Sequence, residues 1–321
     1  MPPALLYNPA SLTMELIRGL HNLRRAHRGC VATIGNYDGL HLGHQQVLAG
    51  LVARARADEP SLVMCFEPTP REFFHREEAP ARLSSLRDKF RQFAACGVDR
   101  FLCLRFDRRI ADLAPEDFIR RLLVDGIGVR HLVVGDDFRF GRDRAGGFDT
   151  LVAAGERYGF EVVDTPSFEL DGVRVSSTAV RKELAEGRLE TARKMLGRRY
   201  AMSGRVVAGR QLGRTLGFPT ANIRLGRRLP PLRGVFAVRV YGLGEPKDAV
   251  ASLGTRPTVH GRELLLEVHI FDFAADLYGR RIEVEFVERL RDEQKFDGVE
   301  AMTEQVRRDA ARAREILART D

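Results

Sequence analysis

Between about residue 29 and residue 187, short apolar runs alternate with segments whose apolar residues recur three and four apart. Val31 to Ile34, Ser61 to Phe66, Phe101 to Phe106 and His131 to Gly135 are the runs, and each predicts a strand. Between them, Val47, Leu48, Leu51, Val52 and Ala55 share one helical face. Leu86, Phe90 and Phe93 share another, after a Ser85–Asp88 pair that resembles a capping box and before Gly97 as a stop. Pro115, Glu116 and Asp117 suit the first turn of a helix through Leu122 and Leu123. Such repeated alternation predicts an α/β domain with a parallel, doubly wound sheet.

The pattern changes after Gly187. Arg188 to Arg199 predicts a short basic helix joining two halves. From Tyr200 the period shortens to two. Leu264, Leu266, Val268 and Ile270 alternate with Leu265, Glu267, His269 and Phe271, and Ile282, Val284 and Phe286 alternate with Glu283 and Glu285. Gly234 to Tyr241 and Ala249 to Leu253 are further strands. Several strands in so short a span, separated by Gly and Pro, predict a small closed antiparallel β-barrel. A final helix is expected over about 298–318, with Met302, Val306, Ala310, Ala313 and Leu317 inward. The chain thus divides into residues 1–187 and 188–321, and 321 residues suffice for two cores.

Composition narrows the partners. The chain is 44% hydrophobic and 30% charged, which describes a globular protein. No apolar run nears the ~20 residues that cross a bilayer, and the first residues carry no export signal, so no membrane partner is expected. The net charge of +8 points to anions: nucleotides, nucleic acid or an acidic membrane surface. Arg is spread along the chain beside Asp and Glu, which favours solvated faces over a nucleic-acid patch. Cys30, Cys65, Cys96 and Cys103 form no C-x-x-C pair. They read as reduced core residues of a cytoplasmic protein.

Candidate chemistry gathers in a few stretches. Val31 to Leu48 runs from a strand through Gly35, Asn36, Asp38 and Gly39 into a helix, with His41-Leu42-Gly43-His44 at the junction. Strand-to-helix junctions of open α/β sheets bind phosphates, because the helix start offers unpaired N–H groups and a positive dipole end. Two imidazoles there can donate to phosphate oxygens; an ordinary surface turn is the bland alternative. Phe66 to Arg71, with Pro68, and Gly135 to Gly141, with Asp137, follow two further strands at their carboxyl ends. Arg174 to Arg181 places Ser177 or Thr178 as a helix N-cap between Arg174 and Arg181, which is either a plain cap or a phosphate site. In the second half, Gly213-Arg214-Thr215-Leu216-Gly217-Phe218-Pro219-Thr220-Ala221-Asn222 crowds two glycines and a proline before a hydroxyl and an amide two apart. In an extended segment Thr220 and Asn222 share a face and can both reach one small hard cation. Glu267 is an acid inside an apolar strand, either ion-paired or held as a general base.

Together, IGNYDGLHLGH, FEPTPREFF, VGDDFRFG and RVSSTAVR resemble the adenylyltransferase module of bacterial bifunctional riboflavin kinase/FAD synthetases. Tyr37 stands where Phe is commoner in that family, and Thr69 where His is frequent. GRTLGFPTAN, the ASLGTRPTV stretch with Arg256, and LLEVHIFDF are similar to the riboflavin kinase module. The resemblance implies a Rossmann-like nucleotidyltransferase domain followed by a riboflavin-kinase-type barrel. It implies an enzyme converting riboflavin to FMN and FMN to FAD, with ATP and Mg²⁺, and with flavins as substrate and product. It further implies Glu267 as the kinase base, Thr220 and Asn222 as Mg²⁺ ligands, and Gly213, Arg214, Gly217, Phe218, Pro219 and Arg256 around the substrates. His41 and His44 would act in adenylylation, with Gly35, Asn36, Asp38, Gly39, Pro68, Asp137, Arg174, Ser177, Thr178 and Arg181 binding nucleotide. No nucleic-acid partner and at most weak self-association are expected. Two other readings stand beside it: an H-x-G-H nucleotidyltransferase whose barrel only binds, and an RNA-binding protein with a basic C-terminal helix.

Overall fold

A computed structural model describes residues 14–135, 137–209, 217–225, 229–258 and 261–320; for 255–258 and 261–263 it describes backbone alone. The first elements in order are β1 (Glu15–Arg18), β2 (Cys30–Ile34), α1 (Leu42–Arg54), β3 (Ser61–Glu67), α2 (Pro70–Phe74), α3 (Leu86–Ala95) and β4 (Arg100–Arg105). Then come α4 (Arg108–Ala111), α5 (Pro115–Phe118), β5 (Val129–Val134), α6 (Phe148–Tyr158), β6 (Glu161–Asp164), β7 (Glu169–Leu170) and β8 (Val173–Arg174). After these follow α7 (Ser177–Ala185), α8 (Leu189–Leu196), β9 (Ala201–Val207), β10 (Ala221–Arg224), β11 (Gly234–Tyr241), β12 (Lys247–Thr258), β13 (Gly261–Ile270), β14 (Arg281–Arg291) and α9 (Val299–Leu317). By packing, the chain forms two compact units. Among the described residues, one holds 14–80 and Leu86–Val175; the other holds Ala81–Ser85 and 176–320.

The first unit is the expected parallel sheet, six-stranded in the order β1-β4-β3-β2-β5-β6. Successive residues of a strand face opposite sides, so β2 serves two cores. Ala32 and Ile34 join Leu62, Met64, Leu102, Phe118, Leu122 and Leu151 on one face. Val31 joins Val63, Phe101, Leu48, Leu51, Phe93 and Tyr37 on the other. Three of the four cysteines lie buried in strands, as expected: Cys30 in β2, Cys65 in β3 and Cys103 in β4. Burial pushes the Cys30 and Cys65 thiols up to about 12, so they stay protonated and inert. The helix predicted at Pro115 begins there with Glu116 and Asp117 in its first turn. From Ile119 to Ile127 it is π-wound, and Gly128 ends it in the left-handed region.

The second unit contains the expected barrel, closed in the order β10-β13-β12-β11-β14-β9. α9 packs Ala313, Ile316 and Leu317 on Val235, Ala237, Val250, Phe271 and Val287 of the barrel wall. Its inward face departs from the sequence expectation at Asp309, which is buried. The Arg291 guanidinium donates to both Asp309 carboxylate oxygens at 2.7–3.0 Å, and Gln305 donates to one of them at 2.9 Å. A buried charge satisfied in this way costs little, whereas an unpaired one would not be tolerated. The outer face of α9 is the solvated kind: Arg307 and Arg308 pair with Glu304, Arg312 with Glu315, and Arg314 with Asp272.

Barrel closure depends on close approach of β9 to β10 at Gly204. A Cβ there would meet the Arg224 carbonyl oxygen at 2.6 Å and also the Ile223 side chain. Gly204→Ala is therefore expected to destabilise the barrel by roughly 1–3 kcal/mol, as overpacking does. Denaturant unfolding followed by a barrel-specific probe measures this, and an unshifted midpoint would contradict it.

Candidate functional site

The first candidate site lies at the carboxyl end of β2, where the chain turns into α1. Tyr37, Gly39 and Leu40 all hold positive φ, at 47°, 85° and 43°. Two of these are not glycine, so the turn is strained, a condition that persists only where surrounding structure over-determines it. His41 is the N-cap of α1: its Nδ1 accepts from the His44 N–H at 3.3 Å. With Nδ1 accepting, the neutral ring carries its proton on Nε2, which becomes a donor. The His44 ring stacks on His41 with centroids 3.6 Å apart and planes 20° apart. Gly43 between them leaves room for the stack: a Cβ there would lie 3.3 Å from the His41 ring and 3.3 Å from Phe168, tighter than an ordinary contact. The helix starts at Leu42, slightly earlier than its periodicity indicates, since His41 itself supplies the cap. Asp38 is buried beside this turn, Gly35 is half-buried and Asn36 is exposed. The site thus joins a helix N-terminus to the His41 Nε2–H and a second imidazole stacked on it, which suits an anion.

The neighbouring strand ends carry the other expected loops. Pro68 follows β3 through a cis Glu67–Pro68 peptide. Thr69 then caps α2: it accepts from the Glu72 N–H, and its own N–H donates to Glu72 Oε2 at 2.9 Å. Asp137, after β5, is exposed and pairs with Arg174 of β8 at 2.7 Å. Ser177, Thr178 and Arg181 belong by packing to the unit that holds the barrel. There the structure corrects the expected cap. Ser176, not Ser177 or Thr178, caps α7, accepting from the Ala179 N–H at 3.1 Å. Three consecutive hydroxyls can each cap a helix, and only the extended backbone at Ser176 (φ −146°, ψ 159°) selects among them. Arg181 consequently sits in the second turn, where its Nε donates to the Ala81 carbonyl at 2.6 Å. A separate open cleft of about 680 Å³ occurs at the amino ends of β5 and β6. There His131 pairs with Glu161 and Glu59, and Arg130 pairs with Glu59.

The second candidate site lies on the barrel. Asn222 of β10 is directly opposite Glu267 of β13, and Glu267 is directly opposite Ser252 of β12. Directly paired antiparallel residues point to one face with Cβ atoms about 4.5–5.5 Å apart. An amide, a carboxylate and a hydroxyl therefore form a row across three strands. Asn222 is 6% exposed, and its Oδ1 is buried with no hydrogen-bond partner among the described residues. The amide rests on the bare backbone of Gly209, where any Cβ would collide with it. A buried carbonyl-type oxygen without a partner among the described residues, with a hydroxyl two residues earlier at Thr220, is a candidate donor pair for a hard cation. Gly217, Phe218 and Pro219 precede Thr220. The sequence reading missed what holds them: His269 Nδ1 lies 2.9 Å from the Pro219 carbonyl oxygen, and its ring meets Phe218 edge-on at 5.4 Å. His269 is two residues from Glu267 in an alternating strand, so the shared face was a readable signal. Ser252 could be found only from the strand register. Gly213 and Arg214 lie outside the described residues, as does the side chain of Arg256, whose backbone is in β12.

Residues 23–179 match the family model for FAD synthetase, and residues 196–317 match that for riboflavin kinase. A bifunctional riboflavin kinase/FMN adenylyltransferase of Escherichia coli K12 is 52% identical over 96% of this chain and 99% of its own. A Pseudomonas fluorescens protein of the same description is 52% identical over 95% and 98%. The crystal structure of a macrolide-efflux protein from Streptococcus pneumoniae superposes with a TM-score of 0.76 at 30% identity, covering 92% of this chain and 97% of that one. Among the described residues no helix is long and apolar enough to cross a membrane.

Loss of the α7 cap is measurable without reference to any activity. Ser176→Ala is expected to destabilise that helix by about 1 kcal/mol, seen as faster amide exchange at Ala179. Unchanged exchange there, with faster exchange in Ser177→Ala instead, would restore the cap to Ser177.

Proposed function

Because this chain belongs to the bifunctional riboflavin kinase/FMN adenylyltransferases, we propose that the barrel row of Asn222, Glu267 and Ser252 is its kinase centre and the stacked His41–His44 pair its adenylylation centre. The family's two reactions are phosphorylation of riboflavin to FMN and adenylylation of FMN to FAD, each from ATP. We assign adenylylation to residues 1–187 and phosphorylation to residues 188–321. The matched ranges end at 179 and begin at 196, and they bracket that boundary.

The observation that carries the kinase assignment is the register of Asn222 against Glu267. Riboflavin's terminal ribityl oxygen attacks the γ-phosphorus of ATP, and the bond from that phosphorus to the β-bridging oxygen breaks to release ADP. Glu267 accepts the hydroxyl proton. Thr220 and the orphaned Asn222 Oδ1 would hold Mg²⁺, which when bound neutralises charge on the phosphates. His269 keeps the Phe218–Pro219 segment against the strand, and Gly213, Arg214, Gly217 and Arg256 are assigned to the substrates by motif. Phosphoryl transfer requires mainly positioning and charge stabilisation, which this small set of side chains can supply.

In adenylylation an FMN phosphate oxygen attacks the α-phosphorus of ATP, and pyrophosphate leaves. The phosphate is already a nucleophile at neutral pH, so no strong base is required. The His41 Nε2–H, the His44 ring and the N–H groups at the start of α1 stabilise charge that grows on the α-phosphate and the leaving group. Gly35, Asn36, Asp38, Gly39, Pro68 and Asp137 shape that pocket. Roles for Arg174, Ser177, Thr178 and Arg181 on the triphosphate follow from the motif. Buried thiols Cys30 and Cys65 fit a reducing cytoplasm.

Incubation with riboflavin, ATP and Mg²⁺, followed by chromatography of the flavins, tests both assignments. Glu267→Gln is expected to lower FMN formation by ~10²–10⁴ while supplied FMN still becomes FAD. His41→Ala is expected to lower FAD formation by ~10²–10³ and to accumulate FMN. Undiminished phosphorylation in the first variant, or undiminished FAD in the second, removes that residue from the mechanism.

A further inference from the structure

We propose that Tyr37 is a positioning residue for adenylyl transfer, holding His44 against His41, and that Thr33 is present in the central strand to lock it there. The proposal rests on the assignment of the two histidines made above.

β2 lies inside the sheet, paired with β3 and β5. In its register Thr33 sits between Val63 and Val133. A hydroxyl thus occupies a place in a row where both flanking strands carry valine. Thr33 is 1% exposed, so its oxygen needs a partner. That partner is the Tyr37 phenol oxygen, 2.6 Å away and also buried. Burial pushes the phenol well above its usual range, so the group remains a neutral hydroxyl that can donate.

The same tyrosine holds φ at +47°, where a bulky residue is held only by its surroundings. Its ring fills the space beside Gly35, where a Cβ would come within 2.8 Å. Phe101 meets Phe93 edge-on at 5.0 Å, Phe93 meets Tyr37 edge-on at 5.6 Å, and Tyr37 meets His44 at 4.9 Å and 54°. His44 then stacks on His41. A column of rings therefore runs from the sheet core to the histidine pair, and the Thr33–Tyr37 hydrogen bond fixes its middle member. An imidazole braced by a tyrosine and a second imidazole keeps one orientation, which is what a charge-stabilising donor requires. A phenylalanine in place of Tyr37 would fill the same space but would leave Thr33 unpaired. The two residues thus work as a pair.

The test uses the full chain, whose barrel kinase activity normalises the amount of active protein in each sample, while near-UV circular dichroism and the Tm report on folding of the parallel-sheet unit. Tyr37→Leu, Tyr37→Phe, Thr33→Val, the double variant Tyr37→Phe/Thr33→Val and His44→Ala are compared for FAD formation from FMN and ATP. Tyr37→Leu is expected to lower kcat by roughly 10–100-fold, the scale of a misplaced catalytic group, with KM for ATP and the kinase rate held near wild type. Each single polar change strands one buried hydroxyl and is expected to lower kcat several-fold and to lower the Tm. The double variant, with neither hydroxyl, is expected to regain kcat to within about two-fold, as matched apolar replacement allows. Wild-type kcat in Tyr37→Leu, or a double variant no better than the worse single, would overturn the proposal. Should Tyr37→Leu unfold the module, the singles and the double still decide it. Full adenylylation by His44→Ala would instead refute the histidine assignment, and the proposal would fall with it.

Discussion

Strand register is the constraint on which the barrel site depends. A strand's side chains alternate with a period of two, so a slip of one residue between β10 and β13 would send Asn222 and Glu267 to opposite faces. Closure removes that freedom, because each barrel strand is hydrogen-bonded on both sides. The close approach at Gly204 and the α9 cover over Val235 and Val287 are therefore not remote from the chemistry. They fix which polar side chains share a face. The buried Asp309–Arg291 pair ties α9 to the end of β14 in the same way.

The parallel sheet solves a different problem. Its candidate site is a turn, and a turn has no neighbouring strand to hold it. Three positive-φ residues in four positions would not persist in water. They are held by a buried tyrosine, by a glycine at each close approach, and by a histidine that caps the helix it introduces. Strain at the turn is offset by packing in the core beneath it, so the conformation is held by the protein's own residues. Preorganised donors of this kind need little rearrangement when charge develops.

Much of this was legible in the sequence, for physical reasons. Burial imposes periodicity, so the β-α alternation before Gly187 and the period of two after Tyr200 gave both architectures. Glycine, hydroxyl, amide and imidazole groups at short spacing are what phosphate and cation sites use, so His41, His44, Thr220 and Asn222 stood out as candidates. What stayed hidden depends on partners distant in the chain. Ser252 belongs to the row with Glu267 only through the β12–β13 register. Asp309 reads as a solvated acid until Arg291 is seen beside it. The α7 cap fell one residue early because three adjacent hydroxyls have the same chemistry and only the backbone angles choose. Thr33 reads as an ordinary strand residue until Tyr37 folds back onto it.

On the proposed assignment, two separate centres on one polypeptide act in succession, linked by FMN. Mixing equal amounts of the Glu267→Gln and His41→Ala chains with riboflavin, ATP and Mg²⁺ tests it most directly. FMN made by the His41→Ala chains should be adenylylated by the Glu267→Gln chains, so the mixture should yield far more FAD than either chain alone. A mixture that yields no FAD, while each chain retains its own half-reaction, would contradict the account.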